Sequence, residues 1–256
     1  YWHCSSIKKR IKAVKHHCIQ HKSILDTYTI KDFQKEALNI IKNEFKISDY
    51  IIMVGGSGLY MDAVVNGLDF FPEINIEIRK KLNSKLKEFG IEYLQKKLQK
   101  LDPIYYSSVD KQNHRRLIRA LEICISSNKP YSSFIGKQKP IHEFNLFHIG
   151  MNTNRELLYN KINSRVDKMI DDGLLEEVKT LINYKKLNTL NTLGYKELFL
   201  FLEGKITFND SVDEIKKNSR RFAKRQITWL KGKKDIFWIT NDTNPEEIKR
   251  NYFDFK

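Results

Sequence analysis

The stretch that most constrains the fold is Tyr50-Ile51-Ile52-Met53-Val54-Gly55-Gly56-Ser57-Gly58. Four apolar residues run directly into a glycine-rich turn, and a helix-compatible segment from Leu59 to Leu68 follows. An unbroken apolar run of this kind predicts a strand buried on both faces, as in a parallel sheet. Glycines at the carboxyl end of such a strand let backbone approach a ligand, and the next helix presents free N–H groups. Gly55 and Gly56 are therefore candidate ligand-binding positions, with a plain β-to-α turn as the alternative. No Gly-Lys-Ser/Thr follows, so the turn is not a P-loop.

The rest of the chain has the grammar of a layered α/β core interrupted by helices. Thr29-x-x-Asp32 opens a helix with Phe33, Ala37, Leu38, Ile41 and Phe45 on one face. From Pro72 to Lys137 the pattern becomes purely helical: Ile78, Leu82, Leu86 and Phe89, then Ile91, Leu94, Leu98 and Leu101 after Gly90, then a helix from His114. Phe144–Gly150 and Ile236-Phe237-Trp238-Ile239 read as strands. Thr153-x-x-Glu156 and Ser211-x-x-Glu214 are expected to cap two long helices, while Gly194-Tyr195-Lys196 starts a shorter one. The organisation expected is core residues 1–71, a helical insertion at 72–137, and a second core part at 138–256.

Charge points to the partner. Lysine and arginine number 46 against 31 acids, a formal charge of +15, which suits a polyanion. The helix after Ser211 carries Lys216, Lys217, Arg220, Arg221, Lys224, Arg225 and Lys231, with no acid between Glu214 and Asp235. Nucleic-acid backbone is the partner such a face predicts. Arg115, Arg116 and Arg119 cluster at a helix start, where they oppose the dipole and call for an anion or local acids such as Asp110. Arg165 falls on the apolar stripe Leu158, Ile162, Val166, Met169, so it is expected to be buried as a phosphate ligand or an ion-pair member. His16-His17-Cys18 with His21 lacks a second ligand pair at zinc-finger spacing and reads as structural histidines, with no metal site assigned. Cys4, Cys18 and Cys124 are too few for a disulfide framework, and neither a signal peptide nor a membrane span is read, which favours a cytoplasmic protein.

Four motifs then occur in order: Val54-Gly55-Gly56-Ser57-Gly58-Leu59-Tyr60, Arg116-x-x-Arg119-Ala120-Leu121-Glu122, Leu193-Gly194-Tyr195-Lys196-Glu197, and Arg220-x-x-Ala223-Lys224-Arg225-Gln226-x-Thr228-Trp229. Together they resemble the tRNA dimethylallyltransferases, over about Val14–Thr240. The resemblance implies a P-loop NTPase-like parallel-sheet core with an all-helical insertion domain. It further implies transfer of a dimethylallyl group from dimethylallyl diphosphate, with Mg²⁺, to N6 of the adenosine 3′ to the anticodon. The partners implied are the tRNA anticodon stem-loop and the diphosphate; a monomer is expected, though the sequence itself does not specify the oligomeric state.

Residue by residue, Ser57 matches a hydroxyl position near the target base, and Arg165 the diphosphate-contacting arginine. Arg79 and the Arg115–Arg119 segment match tRNA contacts of the insertion. Asn191–Lys196 (including Gly194, Tyr195 and Lys196) and Arg220, Lys224, Arg225, Gln226, Thr228, Trp229 and Lys231 match tRNA contacts of the core. The family's first strand, P-loop and Asp-Ser-x-Gln element have no counterpart in this sequence, so the expectation is a truncated, weakly active or inactive chain. Tyr1-Trp2-His3-Cys4 stands where the family reads Ile-Gly-Thr-Ala, a pair of readings that one nucleotide of frame shift can connect; a mis-read start of an intact gene is expected, and the DNA sequence decides it. Two rivals are an adenylate isopentenyltransferase acting on free nucleotide, and a non-catalytic RNA-binding remnant.

Overall fold

The computed structural model describes residues 14–137 and 142–252. The expectations for Tyr1–Cys4 lie outside them. The chain divides into two compact units, one of residues 1–61 with 143–256 and one of residues 62–142. Helices predominate, with one small parallel sheet.

In the first unit, α1 (Ile30–Glu44) begins at the capping box expected: Thr29 Oγ1 accepts from the Asp32 amide at 3.3 Å, and Asp32 Oδ2 accepts from the Thr29 amide at 2.9 Å. The strands β1 (His148–Met151) and β2 (Ile236–Ile239) pair in parallel, His148 opposite Ile236 and Met151 opposite Ile239. Between them run α6 (Arg155–Asp171), α7 (Leu174–Thr180), α8 (Tyr195–Leu202) and α9 (Phe208–Lys231); α10 (Pro245–Tyr252) follows. Val166, Leu174, Val178, Leu190, Leu198, Phe199 and Ile215 form the core of this helical layer.

Three expectations fail here. The run at 51–54 is not a strand: Ile52 and Val54 are 83% and 87% exposed. A parallel strand needs hydrogen-bonded neighbours, and among the described residues β1 and β2 pair only with each other. Two caps are also displaced. Asn154, not Thr153, caps α6, its Oδ1 accepting from the Glu156 amide at 2.8 Å. Thr207 and Asp210 form the box that starts α9 one turn before Ser211, which is buried and donates to the Phe208 carbonyl at 2.6 Å.

The second unit carries the rest of α2 (Gly58–Asn66), whose start belongs to the first, and then α3 (Ile76–Leu101), α4 (Pro103–Ser108) and α5 (His114–Ser127). Gly90, at φ +75°, kinks α3 where the two apolar stripes were seen to break. Leu82, Leu94, Leu98, Val109, Leu117, Leu121 and Cys124 close the core. Asp102 is 1% exposed and ties three segments together: it accepts from the Tyr105 amide at 2.9 Å, the Ser132 amide at 2.6 Å and the Ser132 hydroxyl at 2.9 Å. Removing such an acceptor strands buried donors at about 1–3 kcal/mol. Asp102→Ala is therefore expected to lower stability by about 2–3 kcal/mol in denaturant unfolding, and Asp102→Asn by less, because the amide oxygen still caps α4.

Candidate nucleic-acid interface

The glycine turn and the basic helix, far apart in sequence, meet in the first unit. Gln226 Nε2 on α9 donates to the Gly56 carbonyl at 2.9 Å. A Cβ on Gly58 would lie 2.5 Å from the Trp229 indole, so only glycine lets the start of α2 rest on that ring. A Cβ on Gly56 would fall 1.8 Å from Gln226 Nε2, the movable end of a flexible side chain. Gly55 has no such neighbour; its nearest would be Met61 Cε at 3.9 Å. Gly56 and Gly58 thus fit the turn to α9, while Ser57 stays exposed between them, its carbonyl accepting from the Tyr60 amide at 3.0 Å.

The bases of α9 divide into three groups. Lys216 pairs with Asp167 at 2.6 Å and Lys217 with Glu214 at 2.6 Å, so these two are answered by acids, contrary to the reading of the whole run as unpaired. Arg220 donates to Asn163 Oδ1 on α6 at 2.7 Å and lies over the Tyr159 ring at 5.9 Å; Arg221 donates to Asn218 Oδ1 at 3.3 Å. Lys224, Arg225 and Lys231 are exposed and meet no carboxylate within ion-pair distance among the described residues. Arg225 lies over Phe222 at 5.5 Å; that ring is itself 38% exposed rather than packed inside. Thr228 turns its hydroxyl back to the Lys224 carbonyl at 2.9 Å.

Arg165 is exposed, not buried as expected. The inward centre of α6 is Val166, with Ile162 and Ile170 beside it, and successive helical residues diverge by about 100°. Arg165 therefore occupies the rim of the stripe. At the next motif, Gly194, at φ +91°, donates its amide to Glu197 Oε2 at 2.9 Å, and Glu197 Oε1 accepts from Asn218 on α9 at 2.8 Å. This buried carboxylate pins the Gly194–Lys196 turn to the basic helix. Tyr195 is 7% exposed with its hydroxyl donating to Glu177, so its side chain is a core element rather than a surface for RNA. Lys196 remains exposed.

In the second unit, Arg79 grips Glu122 with both Nε and Nη2, the latter at 2.8 Å. Glu122 is wholly buried, and Arg119 approaches it at 3.9 Å while stacking over Phe71 at 5.2 Å. Hydrogen bonding to Glu122 raises the Arg79 guanidinium further above its ordinary range. Arg79 and Arg119 are thus held by a carboxylate of the chain. Arg115 and Arg116 are exposed at the start of α5 with no ion pair among the described residues, and Asp110 instead accepts from the Gln112 amide at 3.0 Å. Glu122, Glu197 and Asn163 were not singled out from sequence. Their signal was weak but present: two of them are acids inside motifs already noted.

The description "IPP transferase" fits residues 6–233 of this chain at the family level. The tRNA dimethylallyltransferase of Christiangramia forsetii is 50% identical over 248 residues, covering 97% of this chain and 81% of that protein. The enzyme of the same name from Flavobacterium johnsoniae is 44% identical, with 94% and 80% covered. Among solved structures, the full-length tRNA isopentenylpyrophosphate transferase of Bacillus halodurans superposes with a TM-score of 0.64 at 32% identity, over 95% of this chain and 77% of that one.

The glycine contacts rank their own substitutions. Gly58→Ala is expected to cost about 1–3 kcal/mol, because the indole cannot yield without repacking. Gly55→Ala should stay within about 1 kcal/mol of the native chain. Thermal unfolding, together with proteolysis across 50–60, distinguishes the two.

Proposed function

This chain belongs to the IPP transferase family, and from that premise we propose that it acts in moving a dimethylallyl group from dimethylallyl diphosphate to N6 of the adenosine 3′ to the anticodon, in tRNAs reading codons that begin with U. The observation that carries the RNA side is the outer half of α9. Lys224, Arg225 and Lys231 stand exposed with no carboxylate within ion-pair distance among the described residues, on a helix buttressed by the glycine turn and by Glu197. Cations left without acids are suited to phosphates, whose counterions they displace. Lys196 is a further exposed cation, and Arg115 and Arg116 supply a second basic patch on the helical unit.

The chemistry needs two further things of the protein. The acceptor adenine must leave its stack to meet the donor, and the diphosphate must be stabilised as negative charge grows on it. We assign the second task to Arg165, whose guanidinium offers a fork matched to phosphate oxygens. Its exposed place on the rim of α6 suits a ligand entering from solvent. We assign Ser57, exposed in the glycine turn, to the acceptor base; Gly55 and Gly56 leave the backbone exposed there. Tyr195, Gly194, Gln226 and Trp229 act by holding these pieces in position.

Magnesium would accompany the diphosphate, because this ion prefers oxygen ligands and keeps much of its water. Ser57 and Gln226 offer a hydroxyl and an amide at the turn, a poor set for it, so the ion's partners would be diphosphate oxygens and water. No residue of this sequence matches the family's Gly-Lys-Ser/Thr cradle or its acidic base, and those two roles are assigned to no residue here.

Two variants separate the roles. The triple variant Lys224→Ala, Arg225→Ala, Lys231→Ala is expected to weaken binding of a tRNA anticodon stem-loop and to flatten its log–log salt dependence by about 2–3, at about 0.7–0.9 per phosphate contact. Arg165→Ala should leave that slope unchanged and weaken binding of dimethylallyl diphosphate by about 10–100-fold. An unchanged salt slope in the triple variant would remove α9 from the interface.

A further inference from the structure

The segment before α1 brings together three side chains that the RNA reading leaves unused. Cys18 Sγ, a ring nitrogen of His21 and a carboxylate oxygen of Glu36 all lie within 4.8 Å of one another. Cys18 and His21 come from one turn with Cys-x-x-His spacing, and Glu36 comes from α1. The turn holds two non-glycine residues in the left-handed region, Cys18 at φ +59° and Gln20 at φ +52°. That conformation costs a residue with a side chain about 1–2 kcal/mol. It is kept here while thiol and imidazole face the same carboxylate.

We propose that Cys18, His21 and Glu36 form a binding site for a thiophilic divalent cation, of which Zn²⁺ is the best fit, with water as the fourth ligand. The donor set decides the metal. One sulfur, one imidazole nitrogen and one carboxylate oxygen suit zinc, whereas Mg²⁺ and Ca²⁺ prefer oxygen alone. Bonds of about 2.0–2.3 Å to a tetrahedral zinc set its ligand atoms roughly 3.3–3.8 Å apart. His21 Nε2 already stands 3.1 Å from Glu36 Oε1, so the trio closes with about 1 Å of side-chain movement, chiefly of Cys18.

The surroundings support the carboxylate as a ligand. The Tyr28 hydroxyl donates to Glu36 Oε2 at 2.9 Å, leaving Oε1 to His21. Ligand carboxylates in metal sites are held by just such outer hydrogen bonds. Tyr28 also packs edge-on against the His21 ring, with centroids 5.6 Å apart, fixing the imidazole. Lys22, 3.3 Å from Oε2, is the cation now in place and would swing away as the metal enters. Thiolate ligation by Cys18 releases the thiol proton to solvent.

A second clasp on α1 lacks the sulfur and serves as an internal control. His17 Nε2 meets Glu44 Oε1 at 3.2 Å, with Lys15 on the same oxygen at 2.6 Å. A zinc at the first clasp would bind the segment before α1 to that helix, while its water position stays open.

The test is titration of the purified 256-residue chain, reduced and metal-free, with Co²⁺ and then Zn²⁺. Expected are one equivalent of Co²⁺ with thiolate charge-transfer and tetrahedral visible bands, displaced by Zn²⁺. Cys18→Ser should abolish the charge-transfer band, whereas Cys4→Ser and His17→Gln keep it. Glu36→Gln should weaken binding at least tenfold, and Tyr28→Phe about tenfold through the outer shell. Far-UV circular dichroism checks that each variant folds, and Glu36→Gln carries the test should Cys18→Ser not fold. Absence of a thiolate band in the native chain, its persistence in Cys18→Ser, or full affinity in Glu36→Gln would overturn the proposal.

Discussion

The contact on which the first unit's candidate site depends is the seat of the glycine turn on α9. Without a side chain at Gly58 the start of α2 rests against Trp229, and without one at Gly56 the carbonyl reaches Gln226. Those two contacts give the exposed Ser57 a fixed neighbour in the basic helix α9. Glu197 does the same for the turn at Gly194, taking a backbone amide with one oxygen and Asn218 of α9 with the other. Glu197 is buried, and a polar atom buried this way costs free energy unless paired, which fixes the position of the Gly194 turn.

Helical structure was legible because its signals are local. The capping box at Thr29, the kink at Gly90, the helix from His114 and the strand from Ile236 all fall where periodicity and turn chemistry put them. The apolar run at 51–54 shows the limit of that logic. A strand is completed by neighbours elsewhere in a sheet, and no local pattern supplies them. The displaced caps at Asn154 and Thr207 have a smaller cause: neighbouring residues can all cap, and geometry chooses among them.

The site was legible in its residue types and less so in their partners. Motif order brought out the glycine turn and α9, but their contact through Gln226 and Trp229 lies 170 residues apart and needs the fold. Arg165 followed the period of an apolar stripe and still lies outside it, since a stripe's centre is set by what packs on it. Arg79 and Arg119 match RNA-contacting positions in sequence, and only the fold shows Glu122 buried against both. Glu36 had no sequence link to Cys18 at all; only the path of the segment before α1 joins them.

The central claim is that the cations of α9 left without acids serve a polynucleotide rather than a free nucleotide. Competition measures this most directly: a labelled tRNA anticodon stem-loop bound to the chain is challenged with unlabelled stem-loop and, separately, with AMP. The account predicts displacement by the stem-loop, and a complex left intact by AMP at many times that concentration. Displacement by AMP at similar concentrations would contradict it and point to a site built for a mononucleotide.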